Sequence, residues 1–145
     1  MAESIGWLPP SHGRVKLNTD GSVLNGVAGT GMVLRDHLGN IIFCACRHVE
    51  LCEDALESEI LAIREGINLA LQWSTLPIDI ESDCLEAVTM LKSAKGNMSK
   101  FSFMIREIKQ SMGERDSSIT HIRCNSNCAS HVLANFGRTQ GRTMV

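Results

Sequence analysis

Three acidic residues stand where a folded chain would bring them together. Asp20 closes the alternating stretch Val15-Lys16-Leu17-Asn18-Thr19-Asp20, which is followed by Gly21-Ser22. The alternation reads as a strand over about 14–20, with Val15, Leu17 and Thr19 on one face and Lys16, Asn18 and Asp20 on the other. Gly21-Ser22 reads as the break into a turn. A carboxylate at a strand end can be held rigidly while its oxygens reach a cleft. Asp-Gly is also a common turn pair, so Asp20 gains meaning only if other acids converge on it. Glu59 is the first of these. It belongs to the line Ala55, Glu59, Ala62, Gly66 and Ala70, beside the apolar stripe Leu56, Ile60, Ile63, Ile67 and Leu71. Small residues in that line let a helix approach a sheet closely, and Glu59 is its one large polar member. Glu57 lies about 200° around the same helix and faces solvent. Asp83 is the second, at the end of a strand over Ile78–Asp83. A helix N-cap is the plain role for such a residue. The carboxyl edge of strands in an α/β sheet is, however, the usual ligand position.

The elements that must place these acids follow in order. Trp7-Leu8-Pro9-Pro10-Ser11-His12-Gly13 reads as a lead-in, either a cut from a longer protein or a short arm docked by Trp7. Three strands at about 14–20, 31–35 and 41–47 form an antiparallel meander, with 23–30 read as loop. Asp54 is the expected N-cap of the long helix that carries Glu59. The strand at 78–83 follows a crossover helix, so it joins the sheet in parallel. A helix spans about 84–93, and Lys95-Gly96-Asn97 is a turn. Phe101, Met104, Ile105, Ile108 and Met112 repeat at helical spacing as core. A strand at 118–123 precedes a last helix capped by Asn127, with Val132, Leu133 and Phe136 packing inward. Gly137 ends that helix's pattern, and the polar tail from Arg138 is expected to fray. The order β-β-β-α-β-α-α-β-α makes an α/β protein. Its division is an arm or linker at 1–13, one domain at 14–138 and a flexible tail at 139–145.

At 145 residues the chain fits one domain with a real core. Its net charge of −2 supplies no global basic field for nucleic acid, so such binding needs a local patch or bound cations. No apolar run approaches the roughly 18–20 residues of a membrane span, and the first residues lack the pattern of a secretion signal. An intracellular protein, in cytoplasm or nucleus, with no membrane partner is expected. The six cysteines then read as reduced thiols, mostly small core residues. The alternative is a zinc site from His121, Cys124, Cys128 and His131. Its spacing, H-x2-C-x3-C-x2-H, is compact and has no second cysteine pair at finger distance.

Four segments together resemble a known family. They are W-L-P-P…V-K-L-N-T-D-G-S with Asp20, A-L-E-S-E-I-L-A-I-R-E-G with Glu59, I-D-I-E-S-D-C with Asp83, and N-C-A-S-H-V-L-A from Asn127. Across about Trp7 to Gly137 the chain is similar to the ribonuclease H domain, and within it to the plant ribonuclease-H-like domains related to retroelement reverse transcriptases. The three acidic motifs are jointly specific, though none is so alone. The resemblance implies a ribonuclease H-like fold: a five-stranded mixed sheet, three antiparallel strands then two parallel additions, with helices on both faces. It implies hydrolysis of RNA in an RNA–DNA hybrid with two Mg2+ ions, held by Asp20, Glu59 and Asp83. Asp20 would bridge both ions. Without metal, the clustered carboxylates should show raised pKa values.

One position departs from the family. Its fourth metal carboxylate sits four residues after the motif asparagine, and here that place holds His131. Imidazole adds no negative charge and suits Mn2+ better than Mg2+. Reduced activity with Mn2+ favoured is the expectation; the plainer reading is a surface histidine with no metal contact. The bacterial histidine-bearing loop and basic helical handle also have no counterpart. Hybrid binding would use the minor groove, with Gly21, Ser22, Asn25 and Asn127 near the nucleic acid. Lys95, Lys100 and Arg138 are candidate phosphate contacts, each more often an ordinary solvated charge. Three readings follow for a chain expected to be a monomer. It is a hybrid-cleaving nuclease, a binding module with little turnover, or a retroelement-derived domain working through protein contacts.

Overall fold

The alternating stretch around Asp20 forms a strand at the centre of a five-stranded sheet. The computed structural model describes residues 6–52, 54–94 and 100–145. Its strands are β1 (Val15–Leu24), β2 (Val27–Arg35), β3 (Ile41–Glu50), β4 (Ile78–Ser82) and β5 (Ser117–His121), in the spatial order β3-β2-β1-β4-β5. β1, β2 and β3 pair antiparallel; β4 and β5 add in parallel beside β1. The helices are α1 (Ala55–Trp73), α2 (Leu85–Lys92), α3 (Ser102–Met112) and α4 (Cys128–Gln140), with a short 3-10 turn at Cys124–Ser126 before α4. This is the mixed sheet with helices on both faces that the sequence predicts.

The faces divide as the alternation requires. Leu17 and Thr19 meet Gly66 of α1, while Asn18 and Asp20 bond to Asn127 and His131 at the start of α4. α1 begins at Asp54, whose Oδ1 accepts from the Leu56 and Glu57 N–H groups at 2.8 and 3.3 Å. Ile60, Ile63 and Ile67 of α1 pack with Leu17, Met32, Leu34 and Ile80 of the sheet and with Ile105 and Ile108 of α3. The arm is docked by Trp7. Its indole N–H donates to Asn18 Oδ1 at 2.9 Å, and the Arg35 guanidinium lies 4.6 Å from its ring centre.

Several sequence expectations are corrected. β1 does not break at Gly21-Ser22 but continues to Leu24, so 23–30 is hairpin and not loop. The chain reverses at Asn25-Gly26, with φ of 53° and 78°. Asn-Gly tolerates positive φ at both positions, which matches the twist of a two-residue hairpin. β3 runs on to Glu50, β4 stops at Ser82, and β5 ends at His121. α4 continues through Gly137 to Gln140, and Gly141 ends it at φ 63°. The tail then returns to the sheet edge, where Met144 and Cys46 exchange backbone hydrogen bonds of 2.8 and 2.9 Å. Cys44, Cys124 and Cys128 are exposed, so the cysteines are not mostly core; all six are free thiols. The expected turn at 95–97 lies outside the described residues, and no described helix is long and apolar enough to cross a membrane.

The inward face of α4 also differs. Val132 and Phe136 are 65% and 38% exposed, and the buried residues are Ser130, Ala134 and Gly137. The cause is Gly31 on β2, since a Cβ there would sit 2.2 Å from the Ser130 carbonyl oxygen. The helix rests almost directly on the strand backbone, so large side chains are turned outward. Gly31→Ala should therefore lower stability by about 1–3 kcal/mol, the usual cost of overpacking. A shifted urea midpoint at unchanged slope is the expected result; an unaltered midpoint would show that α4 can yield without cost.

Candidate metal centre

β4 stops at Ser82, opposite Thr19. Beyond that pair β1 has no strand on that side, and a notch opens beside Asp20 and Gly21. Asp83 follows β4 directly at the notch. Cys84, not Asp83, takes the N-cap place of α2, which leaves the Asp83 carboxylate outside that bland role. Glu59 enters from α1. Its Oε1 accepts from the Gly21 N–H at 3.2 Å, a donor that a longer β4 would have claimed. Gly21 also lets α1 come this close, because a Cβ on it would meet the Ser58 backbone at 2.6 Å.

The result is a convergent acidic trio. One oxygen from each of Asp20, Glu59 and Asp83 lies within 4.8 Å of the others, and among the described residues no other group of three or more His, Cys, Asp or Glu side chains comes together in this way. Asp20 is 3% exposed. Burial pushes its carboxyl above the ordinary range, and the charge of Asp83 adds to this, while His131 pulls the other way. Burial, then Asp20 and Asp83, push Glu59 up to about 9. Raised values of this kind follow from burial first, and then from the like charges gathered around each group.

The donor set suits a hard divalent ion. It consists of three carboxylates, all oxygen, with more negative charge than the site holds comfortably. The alternative zinc set is not assembled: His121, Cys124, Cys128 and His131 form no convergent group. His131 turns instead to Asp20, with Nδ1 2.8 Å from Oδ2. It is therefore not a bystander on the helix surface, although its side chain is 60% exposed.

The remaining expected residues are held by the protein itself. Asn127 caps nothing with its side chain. Its Nδ2 donates to the Thr19 carbonyl at 2.8 Å, and its Oδ1 accepts from Asn18 at 3.1 Å. Ser22 Oγ lies 2.9 Å from Asn135 Oδ1 and 2.8 Å from Arg138 Nε. Asn25 sits at the exposed hairpin tip. Lys100 pairs with Asp54 at 3.2 Å, and Lys95 lies outside the described residues. Two residues at the site were not expected. Asn18 shares the Asp20 face of β1, two residues earlier. Asn135 is four residues beyond His131 and so on its helix face, a spacing that would have revealed it. A cleft of about 340 Å3 adjoins Asn18 and Asn127, lined also by Trp7 and Arg35.

A model of the family described as reverse transcriptase-like matches residues 18–137. The chain belongs to that family. This reverse-transcriptase-like domain is 29% identical over 136 residues to an Arabidopsis thaliana protein whose name assigns it provisionally to ribonuclease H; the match covers 91% of this chain. The chain spans only 22% of that relative's length. The fold is that of ribonuclease H. Ribonuclease H1 from the archaeon Halobacterium salinarum superposes with a TM-score of 0.78 at 21% identity, covering 86% of this chain and 96% of its own. A compost-derived ribonuclease H1, LC11, solved in complex with an RNA/DNA hybrid, gives 0.77 at 16% identity, over 88% and 98% of the two chains.

The raised Glu59 fixes the sign of a pH effect. Between the ordinary value of 4.5 and about 9, the folded chain holds a proton that the unfolded chain has released. Stability must fall as pH rises through that window. The contribution is full below the unfolded value and lost once pH passes the folded one. Metal-free urea midpoints should therefore decline across it, and Glu59→Gln should flatten the decline. A wild-type midpoint that rises with pH throughout would contradict the assignment.

Proposed function

We infer that this domain is a divalent-metal-dependent ribonuclease H that hydrolyses RNA in RNA–DNA hybrids. The observation that carries the reading is the convergence of Asp20, Glu59 and Asp83 at the notch beyond β4. Family membership, the ribonuclease H fold and the hybrid bound by the LC11 neighbour support it.

Asp20, Glu59 and Asp83 would hold the ion. When bound, a divalent cation makes water a better nucleophile and offsets charge developing at the scissile phosphate. The chain's own contribution is placement. The Asp20 backbone is held in place, because β1 is paired to β2 on one side and to β4 up to Thr19 on the other. Glu59, whose carboxyl is pushed up, would have to release a proton to act as a ligand, so ion uptake would be coupled to proton release. In the reaction the water oxygen ends on phosphorus and the P–O3′ bond breaks, leaving a 3′-hydroxyl on the upstream fragment. Ser22, Asn25 and Asn127 lie on the segments flanking the trio, where the hybrid's backbone would run. The net charge of −2 gives no broad basic field, so affinity for the hybrid should be modest and fall with salt.

A second reading has one observation in its favour: His131 stands at the position where the family resemblance implies a fourth carboxylate, and it bonds to Asp20. A domain altered there could bind hybrid with little turnover. A labelled hybrid in Mg2+ or Mn2+ separates the cases. Cleavage should occur, and Asp20→Asn should lower it by about 10²–10³-fold, the scale of losing one preorganised polar group at a reacting centre. Binding without cleavage would favour the second reading. Neither binding nor cleavage would leave a domain acting through protein contacts.

A further inference from the structure

Four side chains outside the acidic trio form a continuous hydrogen-bonded chain that ends on Asp20. Arg138 Nε lies 2.8 Å from Ser22 Oγ, and Arg138 Nη2 lies 3.3 Å from Asn135 Oδ1. Ser22 Oγ lies 2.9 Å from the same Asn135 oxygen. Asn135 Nδ2 lies 3.1 Å from His131 Nε2, and His131 Nδ1 lies 2.8 Å from Asp20 Oδ2.

The direction of each bond follows from the first residue. A guanidinium only donates. Ser22 Oγ therefore accepts from Arg138, and its own proton goes to Asn135 Oδ1. With that oxygen taken by Ser22 and Arg138, the amide turns its NH2 to His131. An NH2 only donates, so His131 Nε2 accepts. The proton of the neutral ring then sits on Nδ1, which donates to Asp20 Oδ2. Both ring nitrogens are used, and neither offers a free lone pair to a cation. The convergent ligand group independently contains Asp20, Glu59 and Asp83 without His131.

We propose that the site takes a single divalent cation, and that the Arg138–Ser22–Asn135 relay holds His131 as a hydrogen-bond donor to Asp20 in the place of a second ion. The proposal rests on the metal-dependent reading above. It changes what His131 does: the ring is not a soft ligand that selects Mn2+, but a fixed donor that occupies one oxygen of the central carboxylate. Asn135 becomes a positioning residue, acting only through the ring.

Two measurements on the whole chain test this without any turnover. The first counts Mn2+ bound per chain, by titration calorimetry and by the electron paramagnetic resonance signal of free Mn2+. Wild type should bind one. His131→Asp, which restores a carboxylate at an exposed position, should bind two; His131→Asn, which adds no charge, should stay at one. The second reads the ring by long-range proton–nitrogen NMR at a pH where it is neutral. Wild type should carry its proton on Nδ1. Asn135→Asp replaces the donating amide with an acceptor and should move the proton to Nε2. Two ions on wild type, one ion on His131→Asp, or an Nε2 proton in wild type would each overturn the proposal. No Mn2+ bound by either wild type or His131→Asp would instead sink the metal-dependent reading itself, and the proposal with it.

Discussion

Like charges held close together in a protein interior set the terms for this structure. Asp20 is almost fully buried, and Glu59 and Asp83 are brought to it from two other elements. Left to themselves, such groups separate or take up protons. Here separation is blocked, because each acid is fixed by backbone that has other work to do. Asp20 lies in a strand paired to β2 from Lys16 to Leu24. Asp83 follows a strand locked in parallel register to β1. Glu59 belongs to a five-turn helix whose isoleucines fill the core. Burial and the neighbouring Asp20 and Asp83 together push the Glu59 carboxyl up to about 9.

Rigid placement depends on backbone approaching backbone on both faces of the sheet. On one face Gly21 lets α1 sit close enough for Glu59 to reach the notch. On the other, Gly31 lets α4 rest on β2 so that His131 arrives above Asp20. A side chain at either glycine would collide with the backbone of the facing helix, so something there would have to shift. The packing that stabilises the domain and the geometry of the site are thus the same contacts. The small residues of α4, Ser130, Ala134 and Gly137, belong to this arrangement as much as the acids do.

The parts legible in the sequence were those written in local periodicity. The two faces of β1, the apolar stripe of α1, the Asp54 cap and the selection of Glu59 over Glu57 all follow from side-chain direction within one element. What local periodicity does not show depends on a partner element. Gly21-Ser22 looks like a turn, yet the strand tolerates glycine there because α1 needs the space. The three glycines between 26 and 31 look like a loop, but Gly29 and Gly31 are strand residues under α4. Asn25-Gly26 is itself a hairpin signal, which the loop reading of 23–30 does not use. Large apolar residues such as Val132 and Phe136 are expected to face inward; a glycine-lined sheet reverses the preference. Periodicity within one segment cannot show such reversals, since it holds no information about the facing surface.

The same limit applies to His131. From the sequence it is either a poor metal ligand or a surface residue, and the choice depends on side chains that arrive from elsewhere. Ser22 comes from β1, which is more than a hundred residues away in the chain, and it sets the orientation of Asn135, which in turn sets the ring. A histidine placed without that relay could turn either nitrogen to Asp20 and would present a lone pair part of the time. With the relay it presents a proton. What distinguishes a ligand from a donor here is therefore not the residue at 131 but the direction of hydrogen bonding imposed by Arg138, the one member that can never accept.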